Sequence, residues 1–240
     1  MDGIHHVWQR GNSRQRIFLD VVDRRRFLRL LEEITCKYEW VPLAYCLMNN
    51  HFHLVVETPV CSLGDGMRDL GSRYAQLFNE RHATGGGHVY QARYGSRLVT
   101  TDEQFAQLLR YVAYNPVKAG LCSSPGAWPW SSHAALANIR GPALVRADRV
   151  ASLLSWLGDD PARRYVRLFE PDSPLKRFPP DVSPWDLRPN LAEILDHRDL
   201  EVAVQTARGH GYGLAEISEH LGMHRTTLWR RMQRTGSVPV

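Results

Sequence analysis

The chain lacks the features that mark secreted and membrane proteins. It has only four cysteines in 240 residues, and no two of them have the spacing of a paired metal motif. No apolar run approaches the ~20 residues that cross a bilayer, and the N-terminal segment is too charged for a signal peptide. We therefore expect a globular cytoplasmic protein with reduced thiols and no contact with a membrane.

Acidic residues are somewhat scarcer than basic ones. The 30 Lys and Arg residues exceed the 25 Asp and Glu residues, which gives a formal net charge of +5. This surplus favours polyanionic partners, but many proteins that bind no nucleic acid share it, so charge alone assigns no function. A hydrophobic content of 43% supplies enough apolar material for one buried core and a smaller second module.

Two histidines follow a predicted turn. The β-prone runs 43–48 and 51–56 are separated by an Asn-Asn pair, and asparagine tolerates the positive φ angles that a tight hairpin turn needs. Side chains alternate along a strand, so His51 and His53 project from one face. The pattern predicts a strand, a turn and a strand that directs two imidazoles at one point, where they can bind a divalent metal.

A tyrosine and an asparagine lie on a predicted helix. Apolar residues recur at helical spacing from Glu103 to Tyr114, and Asp102 is predicted to cap the start of this helix. Because Tyr111 and Asn115 are four residues apart, they share one helix face. Pro116 biases the preceding residue away from the α region, so Asn115 is predicted at or just past the last turn. There its amide oxygen could face a metal.

The remaining elements complete an alternating order. We predict a strand at 4–9, a helix at 21–38, a second helix at 63–81 and a strand or hairpin at 88–100. With the hairpin and the tyrosine helix, the order is β, α, β, β, α, β, α. This order indicates an α+β sandwich.

Several segments, in the same order along the chain, resemble the REP-associated tyrosine transposases, a branch of the single-tyrosine HUH nucleases. The resemblance starts near His5 and ends at about His133. The segments that carry it are Arg10-Gly11-Asn12, 48–55, 78–82, 89–94, 110–121 and Trp130-Ser131-Ser132. It implies a ferredoxin-like HUH fold, with an antiparallel sheet, packed helices, the histidine pair on a central strand and the tyrosine on a nearby helix.

The resemblance also implies roles for the site residues. Tyr111 is the nucleophile, His51 and His53 are metal ligands, and Asn115 is the third ligand. A phenol with a pKa of about 10 is a poor nucleophile at neutral pH unless a cation makes the phosphorus more electrophilic. Mg²⁺ or Mn²⁺ is the expected cofactor. The expected products are a 5′-phosphotyrosine and a free 3′-hydroxyl.

Other residues compete for these roles. Tyr114 could replace Tyr111 after a slight rotation of the helix. Glu57 shares the strand face of the histidines, but it lies roughly 13 Å along the strand from His53, too far for joint ligation. The remaining histidines near the motif are read as structural or DNA-contacting; they are His5, His6, His82 and His88.

Polar side chains that can hold phosphates or read base edges accompany the motif. Guanidinium and amide groups suit this task, and interleaved tyrosines offer stacking platforms for single-stranded DNA. The predicted DNA contacts in this part of the chain are Arg10, Asn12, Arg14, Arg16, Arg93 and Arg97. Further candidates for stacking or phosphate contact are Arg68, Arg73, Tyr74, Tyr90 and Tyr94.

The sequence divides into three predicted segments. Residues 1–138 form the HUH single-tyrosine transposase catalytic domain, 139–190 a helical extension with a Pro-rich linker, and 191–240 a helix-turn-helix-like module. The module's predicted core is Ala215, Ile217, Leu221 and Leu228. Its predicted contacts with duplex DNA are Thr226, Thr227, Arg230 and Arg231, together with Trp229 and Arg234. A plain helical hairpin is the alternative.

The combined reading is a metal-dependent endonuclease and strand transferase. Its predicted substrate is single-stranded DNA with hairpin structure, from repetitive palindromic elements, and it would associate with the nucleoid when bound. A DNA-binding regulator without cleavage is one alternative, and an RNA-processing nuclease that uses water is another. Both a monomer and a homodimer remain open.

Overall fold

The structure, a computed structural model, describes residues 3–59, 62–83, 87–137, 144–175, 182–183, 191–196, 199–209 and 212–234. Its contacts divide the chain into two units, Met1–Asp181, here the sheet unit, and Val182–Val240, here the helical unit. Within the described ranges, no helix has both the length and the apolar character that crossing a membrane requires.

The sheet unit is built on four antiparallel strands. They are β1 (Gly3–Arg10), β2 (Val41–Leu47), β3 (His51–Thr58) and β4 (Gly95–Val99), in the order β2-β3-β1-β4. With one helix after β1 and another after β3, this order is the ferredoxin-like arrangement. The predicted α+β class with an antiparallel sheet is confirmed.

Two long helices cover one face of this sheet. They are α1 (Val21–Lys37) and α2 (Ser62–His82). Phe27 of α1 lies 4.7 Å, between ring centroids, from Phe52 of β3, and 5.1 Å from Tyr74 of α2. These three side chains are almost fully buried. The aromatic cluster therefore joins both helices to the centre of the sheet.

The opposite face carries α3 (Asp102–Lys118). Its start differs from the prediction, because Thr101, in extended conformation, accepts the amide hydrogen of Gln104 and is the N-cap, while Asp102 already belongs to the helix. Its end also differs, because the helix continues through Pro116 to Lys118 and Asn115 lies inside it. Proline removes one backbone donor, and the helix absorbs that loss because bonding resumes at the amides that follow.

The turn between β2 and β3 forms without the predicted backbone geometry. Neither Asn49 nor Asn50 has a positive φ. The Asn49 carbonyl instead accepts a hydrogen bond from Ile17, and its side chain accepts one of 2.6 Å from Arg24. The Asn50 carbonyl accepts another from Gly11 at 2.8 Å. Contacts with the segment after β1 therefore fix the turn, and local conformational preference does not.

Part of the predicted extension packs within the sheet unit. This region contains α4 (His133–Leu136), α5 (Ala147–Leu153) and α6 (Pro161–Arg167), with short 3-10 turns at Pro125–Ala127 and Ser155–Leu157. Arg149 donates two hydrogen bonds of 2.7 Å to Glu57 of β3. Arg110 of α3 donates one, also of 2.7 Å, to the Leu175 carbonyl. The unit therefore extends past the boundary predicted at 138, and most of the predicted linker lies outside the described residues.

The helical unit contains four described helices. They are α7 (Leu191–Leu195), α8 (Leu200–Gly209), α9 (Leu214–His220) and α10 (Arg225–Arg234). The residues named for the helix-turn-helix-like module lie on or next to α9 and α10, and the sequence analysis named no residue of α7 or α8. The buried core consists of Val204, Ala207, Ile217, Leu228 and Met232. Leu221 packs against this core, whereas Ala215, predicted to belong to it, is exposed because α9 turns Ile217 and Ser218 inward.

Candidate functional site

The histidine pair lies at the start of β3. The rings of His51 and His53 are 5.1 Å apart between centroids and nearly perpendicular, at 86°. Phe52 points to the other face of the sheet, into the aromatic cluster. The alternation of a strand thus places both imidazoles on the α3 side, as the sequence predicted.

Hydrogen bonds orient both rings. Nδ1 of His51 lies 2.7 Å from Oδ1 of Asn50, and Nδ1 of His53 lies 2.9 Å from Nε2 of His6. An amide oxygen only accepts, so Nδ1 of His51 carries the proton and its Nε2 carries the lone pair. Nε2 of His53 is buried and has no hydrogen-bond partner among the residues that the structure describes.

Burial keeps these imidazoles neutral. Desolvation is the main cause that lowers the pKa of His51 to about 4, and Arg10 adds to it. Desolvation, followed by the charges of His6, His51 and Arg10, holds the pKa of His53 well below its usual value, while the nearby side chain of Asn115 acts in the opposite direction. Neutral imidazoles are the form that can ligate a metal.

Tyr111 lies against the same histidines. Its half-buried ring is 5.5 Å from the His53 ring and 5.9 Å from the His6 ring, edge-on in both cases. One turn later, the side-chain amide of Asn115 donates a hydrogen bond of 2.8 Å to the Tyr111 carbonyl. This bond uses the amide nitrogen of Asn115. The helical spacing therefore brings Tyr111 and Asn115 to the histidines, although Asn115 lies inside the helix.

His6 lies beside the histidine pair, a position that the sequence analysis did not predict. On β1 it faces the same side as the histidine pair, because Trp8 pairs with His53 in the antiparallel register and His6 lies two residues from Trp8. His6 is 4% exposed. Its pKa is lowered to about 3, mainly by desolvation and then by Arg97. The alternation of β1 signals its face, but only the strand order shows that β1 lies beside β3.

Two of the predicted DNA-contacting arginines flank the site. In the strand register, Arg10 is opposite His51, and Arg97 of β4 is opposite His6. After desolvation, the charge of Arg10 lowers the pKa of His51 and that of Arg97 lowers the pKa of His6. Positive charge therefore borders the tyrosine and the imidazoles on the sheet face where α3 lies.

The loop after β1 lies beside the histidine turn. Asn12, Arg14 and Arg16 are exposed there, and Ser13 and Arg14 adopt positive φ angles of 49° and 59°. The Asn50 side chain donates a hydrogen bond of 3.1 Å to the Arg14 carbonyl. The three predicted contacts thus present polar groups to solvent next to the turn that leads into His51.

The competing residues are engaged elsewhere. Tyr114 stacks on Phe169, with 6.0 Å between ring centroids, and Glu57 is held by Arg149. His82 lies 3.1 Å from the carboxylate of Asp23. None of these arrangements directs the side chain at the histidine pair.

A metal at this site would need a mixed ligand set. The described ranges contain no group of three or more His, Cys, Asp or Glu side chains that could hold a metal ion. His51 and His53 would supply two imidazole nitrogens, and Asn115 would supply an amide oxygen. The buried, unpartnered Nε2 of His53 is an atom that a cation would satisfy, so the residues fit a divalent metal whose other ligands are water or phosphate.

The predicted duplex contacts of the helical unit lie on α10. Thr226, Thr227, Arg230 and Arg231 are exposed, and Trp229 is 47% exposed. The side chain of Arg234 lies outside the described residues. Arg93 of the sheet unit is also exposed and lines a separate cavity beside α2.

Part of this chain is similar in sequence to a known protein. A protein from Haemophilus influenzae, described as a REP-associated tyrosine transposase, is 28% identical over 109 residues, which cover 41% of this chain and 62% of that protein. This chain therefore spans less than two thirds of that relative's length.

Two solved structures are also similar. A REP-associated tyrosine transposase bound to a REP hairpin has a TM-score of 0.46 at 18% identity, and covers 54% of this chain and 76% of its own. A Deinococcus radiodurans transposase has a TM-score of 0.36 at 18% identity, over 47% of this chain and 89% of its own. Neither superposition is close enough to support a conclusion about this chain.

The family match covers the sheet, the histidine pair and the tyrosine helix. The description of the matching family is "Transposase IS200 like", and the match runs over residues 3–115. It ends at Asn115, the last of the site residues in the chain. Residues 3–115 of this chain are therefore similar to the IS200-like transposases over slightly less than half of its length.

Proposed function

We propose that this protein is a metal-dependent single-strand DNA endonuclease and strand transferase that acts on hairpin-forming DNA through a phosphotyrosine intermediate. The observation that carries this proposal is the ring of Tyr111 lying 5.5 Å from that of His53, whose buried Nε2 has no partner among the described residues. The family match over residues 3–115 and the similarity to the Haemophilus protein support a transposase.

The chain's own side chains divide the work of this reaction. Mg²⁺ or Mn²⁺ held by His51, His53 and Asn115 would draw charge from the non-bridging oxygens of the scissile phosphate. Asn50 and His6 fix the orientation of the two imidazoles through their Nδ1 atoms.

Tyr111 provides the nucleophilic oxygen. Its hydroxyl gives its proton to solvent and its oxygen attacks phosphorus. A bond from the tyrosine oxygen to phosphorus forms, the bond from phosphorus to the 3′ oxygen breaks, and that oxygen takes a proton from solvent and leaves as a 3′-hydroxyl. The 5′-phosphotyrosine conserves the bond energy, so a second 3′-hydroxyl can reverse the step and join the strands. Packing against His6 and His53 limits the positions of the tyrosine ring before attack.

The two flanking arginines would hold the DNA backbone during this step. Arg10 and Arg97 are on the same sheet face as the histidines, and guanidinium groups bind phosphate oxygens in a fixed geometry. The 11–16 loop would guide the strand towards His51.

The decisive experiment is a search for the covalent adduct. Purified protein is mixed with 3′-labelled hairpin oligonucleotides from repeats that flank its own gene, with Mn²⁺ or Mg²⁺, and run on a denaturing gel. We expect a protein–DNA band that is lost in Tyr111→Phe and His51→Ala and kept in Tyr114→Phe, the matched control. Binding without an adduct would favour the DNA-binding regulator, and cleavage that survives Tyr111→Phe would favour the RNA-processing class, which uses water.

A second function is proposed for the helical unit. The exposed Thr226, Thr227, Trp229, Arg230 and Arg231 on α10 suit contact with duplex DNA, such as the stem of a hairpin. Replacing Arg230 and Arg231 with alanine should weaken hairpin binding and spare the cleavage of short single strands. Hairpin affinity that stays at the wild-type level would refute this role.

A further inference from the structure

A cavity lies on the side of β1 away from the histidines. It has a volume of about 550 Å³ and lies between α2 and the segment 88–94. Its lining includes Gln9, Gly71, Tyr90 and Tyr94, with Arg68 and Arg93 among its charged residues. Its size falls within the range of small-ligand pockets, about 300–1,000 Å³. The reaction proposed above uses none of these residues.

Two buried polar atoms of this cavity lack partners. Nε2 of Gln9 donates to the Ala92 carbonyl at 3.2 Å, which leaves Oε1 as the free end of the amide. Within the described part of the chain, neither Oε1 of Gln9 nor the hydroxyl of Tyr90 has a hydrogen-bond partner, and both atoms are buried. Gln9 as a whole is 8% exposed. Such atoms are costly to leave unsatisfied, so a polar ligand or ordered water should fill the space.

Gly71 of α2 lies in front of one of these two buried atoms. A methyl group there would lie 3.5 Å from Oε1 of Gln9 and 3.9 Å from the Tyr90 ring, at ordinary contact distances. Alanine would therefore fit, and it favours a helix more than glycine does. Glycine, which favours the helix less, leaves the space in front of the amide oxygen unfilled.

We propose that this cavity receives one unstacked nucleobase of the single-stranded DNA. A base offers N–H donors for Oε1 of Gln9, polar edge atoms for the Tyr90 hydroxyl, and a flat face for the Tyr94 ring. Arg93 is exposed at the same cavity and suits the adjoining phosphate. Arg68 lies there too, paired with Asp65 at 2.8 Å.

The position in the sheet supports a DNA ligand. Gln9 precedes Arg10, whose strand partner is His51, so the cavity and the histidine site lie on opposite faces at one end of β1. A strand that passes this end can place a phosphate on one face and a base on the other. This inference rests on the proposed action on single-stranded DNA.

Two substitutions change the cavity without an expected loss of fold stability. Gly71→Ala places a methyl group against Oε1 of Gln9, and Tyr90→Phe removes a hydroxyl that has no partner among the described residues. Both variants should melt at or above the wild-type temperature, because helix propensity rises in the first and an unsatisfied buried group is lost in the second. Lower melting temperatures for both would contradict this assignment of their roles.

The binding test uses fluorescein-labelled single strands of dA, dC or dT, twelve nucleotides long, followed by anisotropy. We expect wild type to prefer one base, and both variants to lose about tenfold in affinity for that strand, the order expected for one stacked base. Arg29→Ala, which removes an exposed arginine of α1, is the control and should retain the preference. Equal affinities of wild type and both variants, or no single-strand binding by wild type, would overturn the proposal.

The two proposals fail in different ways. Loss of single-strand affinity in Gly71→Ala without any Tyr111 adduct in wild type would leave the cavity as a base site and remove the nuclease. An adduct that forms normally, with unchanged affinity and base preference in both variants, would leave the nuclease and show that the cavity holds only water.

Discussion

His53 and His133 show how differently two buried histidines can be used. Both are less than a tenth exposed, at 5% and 8%, and burial lowers the pKa of each. Each makes a hydrogen bond through Nδ1, His53 with His6 at 2.9 Å and His133 with the Tyr165 hydroxyl at 3.0 Å.

The difference between them lies in their surroundings. His133 packs between the rings of Tyr165 and Phe169, at 5.6 and 4.6 Å between centroids. His53 faces Tyr111 and keeps a buried Nε2 that no described residue satisfies. Burial and a lowered pKa are therefore common to both histidines, whereas the unsatisfied nitrogen beside the proposed nucleophile distinguishes His53.

The largest expected effect comes from His53→Ala. It should reduce adduct formation by at least roughly 10³-fold, because it removes an imidazole ligand and the electrostatic stabilisation that depends on it. The measurement is the covalent band on a denaturing gel, with His133→Ala as the matched control. If both variants lost the adduct equally while remaining folded, the contrast between the two histidines would be wrong.

The next effect tests whether His6 acts through His53. His6→Ala removes the partner of Nδ1, and such orienting partners change metal affinity or activity by about 10–100-fold. We expect the variant to form less adduct than wild type at limiting Mn²⁺ and as much as wild type at excess Mn²⁺. The measurement is the adduct yield as a function of Mn²⁺ concentration. A yield that stays low at saturating metal, in a folded variant, would indicate that His6 has another role.

His133→Ala should affect the free energy of unfolding instead. It leaves the Tyr165 hydroxyl without its partner, and an unsatisfied buried group costs about 1–3 kcal/mol. Urea unfolding measures this loss, and adduct yield below the melting temperature should match wild type. Unchanged stability would mean that the Tyr165–His133 bond contributes nothing to the packing of α6.

The smallest effect concerns the ion pair between Glu57 and Arg149. Hydrogen bonds from Arg149 lower the pKa of Glu57 in the folded state. The pair therefore stabilises the folded state at pH values above the unfolded pKa of about 4.3, and this stabilisation is lost as the pH falls through the pKa of Glu57 in the folded state. Arg149→Ala should cost up to about 1 kcal/mol at pH 7, because both side chains are partly exposed. In urea unfolding, the difference in free energy of unfolding between wild type and variant should shrink below pH 4.3. A difference that persists there would contradict an ionic origin.

The sequence predicted those parts of the site that depend on local geometry. Alternation placed His51 and His53 on one face, and a spacing of four placed Tyr111 and Asn115 on one side of α3. Both rules act within one element. Their roles as ligands and nucleophile stay predictions until the adduct experiment.

The parts that the sequence did not predict depend on contacts between distant segments. His6 joins the site only because β1 lies beside β3, and the cavity exists only because Gln9 lies against Gly71 of α2. The Asn49-Asn50 turn is fixed by hydrogen bonds from the segment after β1. Strand order and tertiary hydrogen bonds join residues that are far apart in the sequence, so no fixed residue spacing predicts them.

The side chain of Asn50 links two parts of the molecule. Its oxygen lies 2.7 Å from Nδ1 of His51, and its nitrogen donates to the Arg14 carbonyl in the loop after β1. A ligand that repositions this loop therefore acts on the group that orients a histidine of the site. If DNA bound to the loop changes the affinity of His51 for a cation by some factor, the bound cation must change the affinity of the loop for DNA by the same factor.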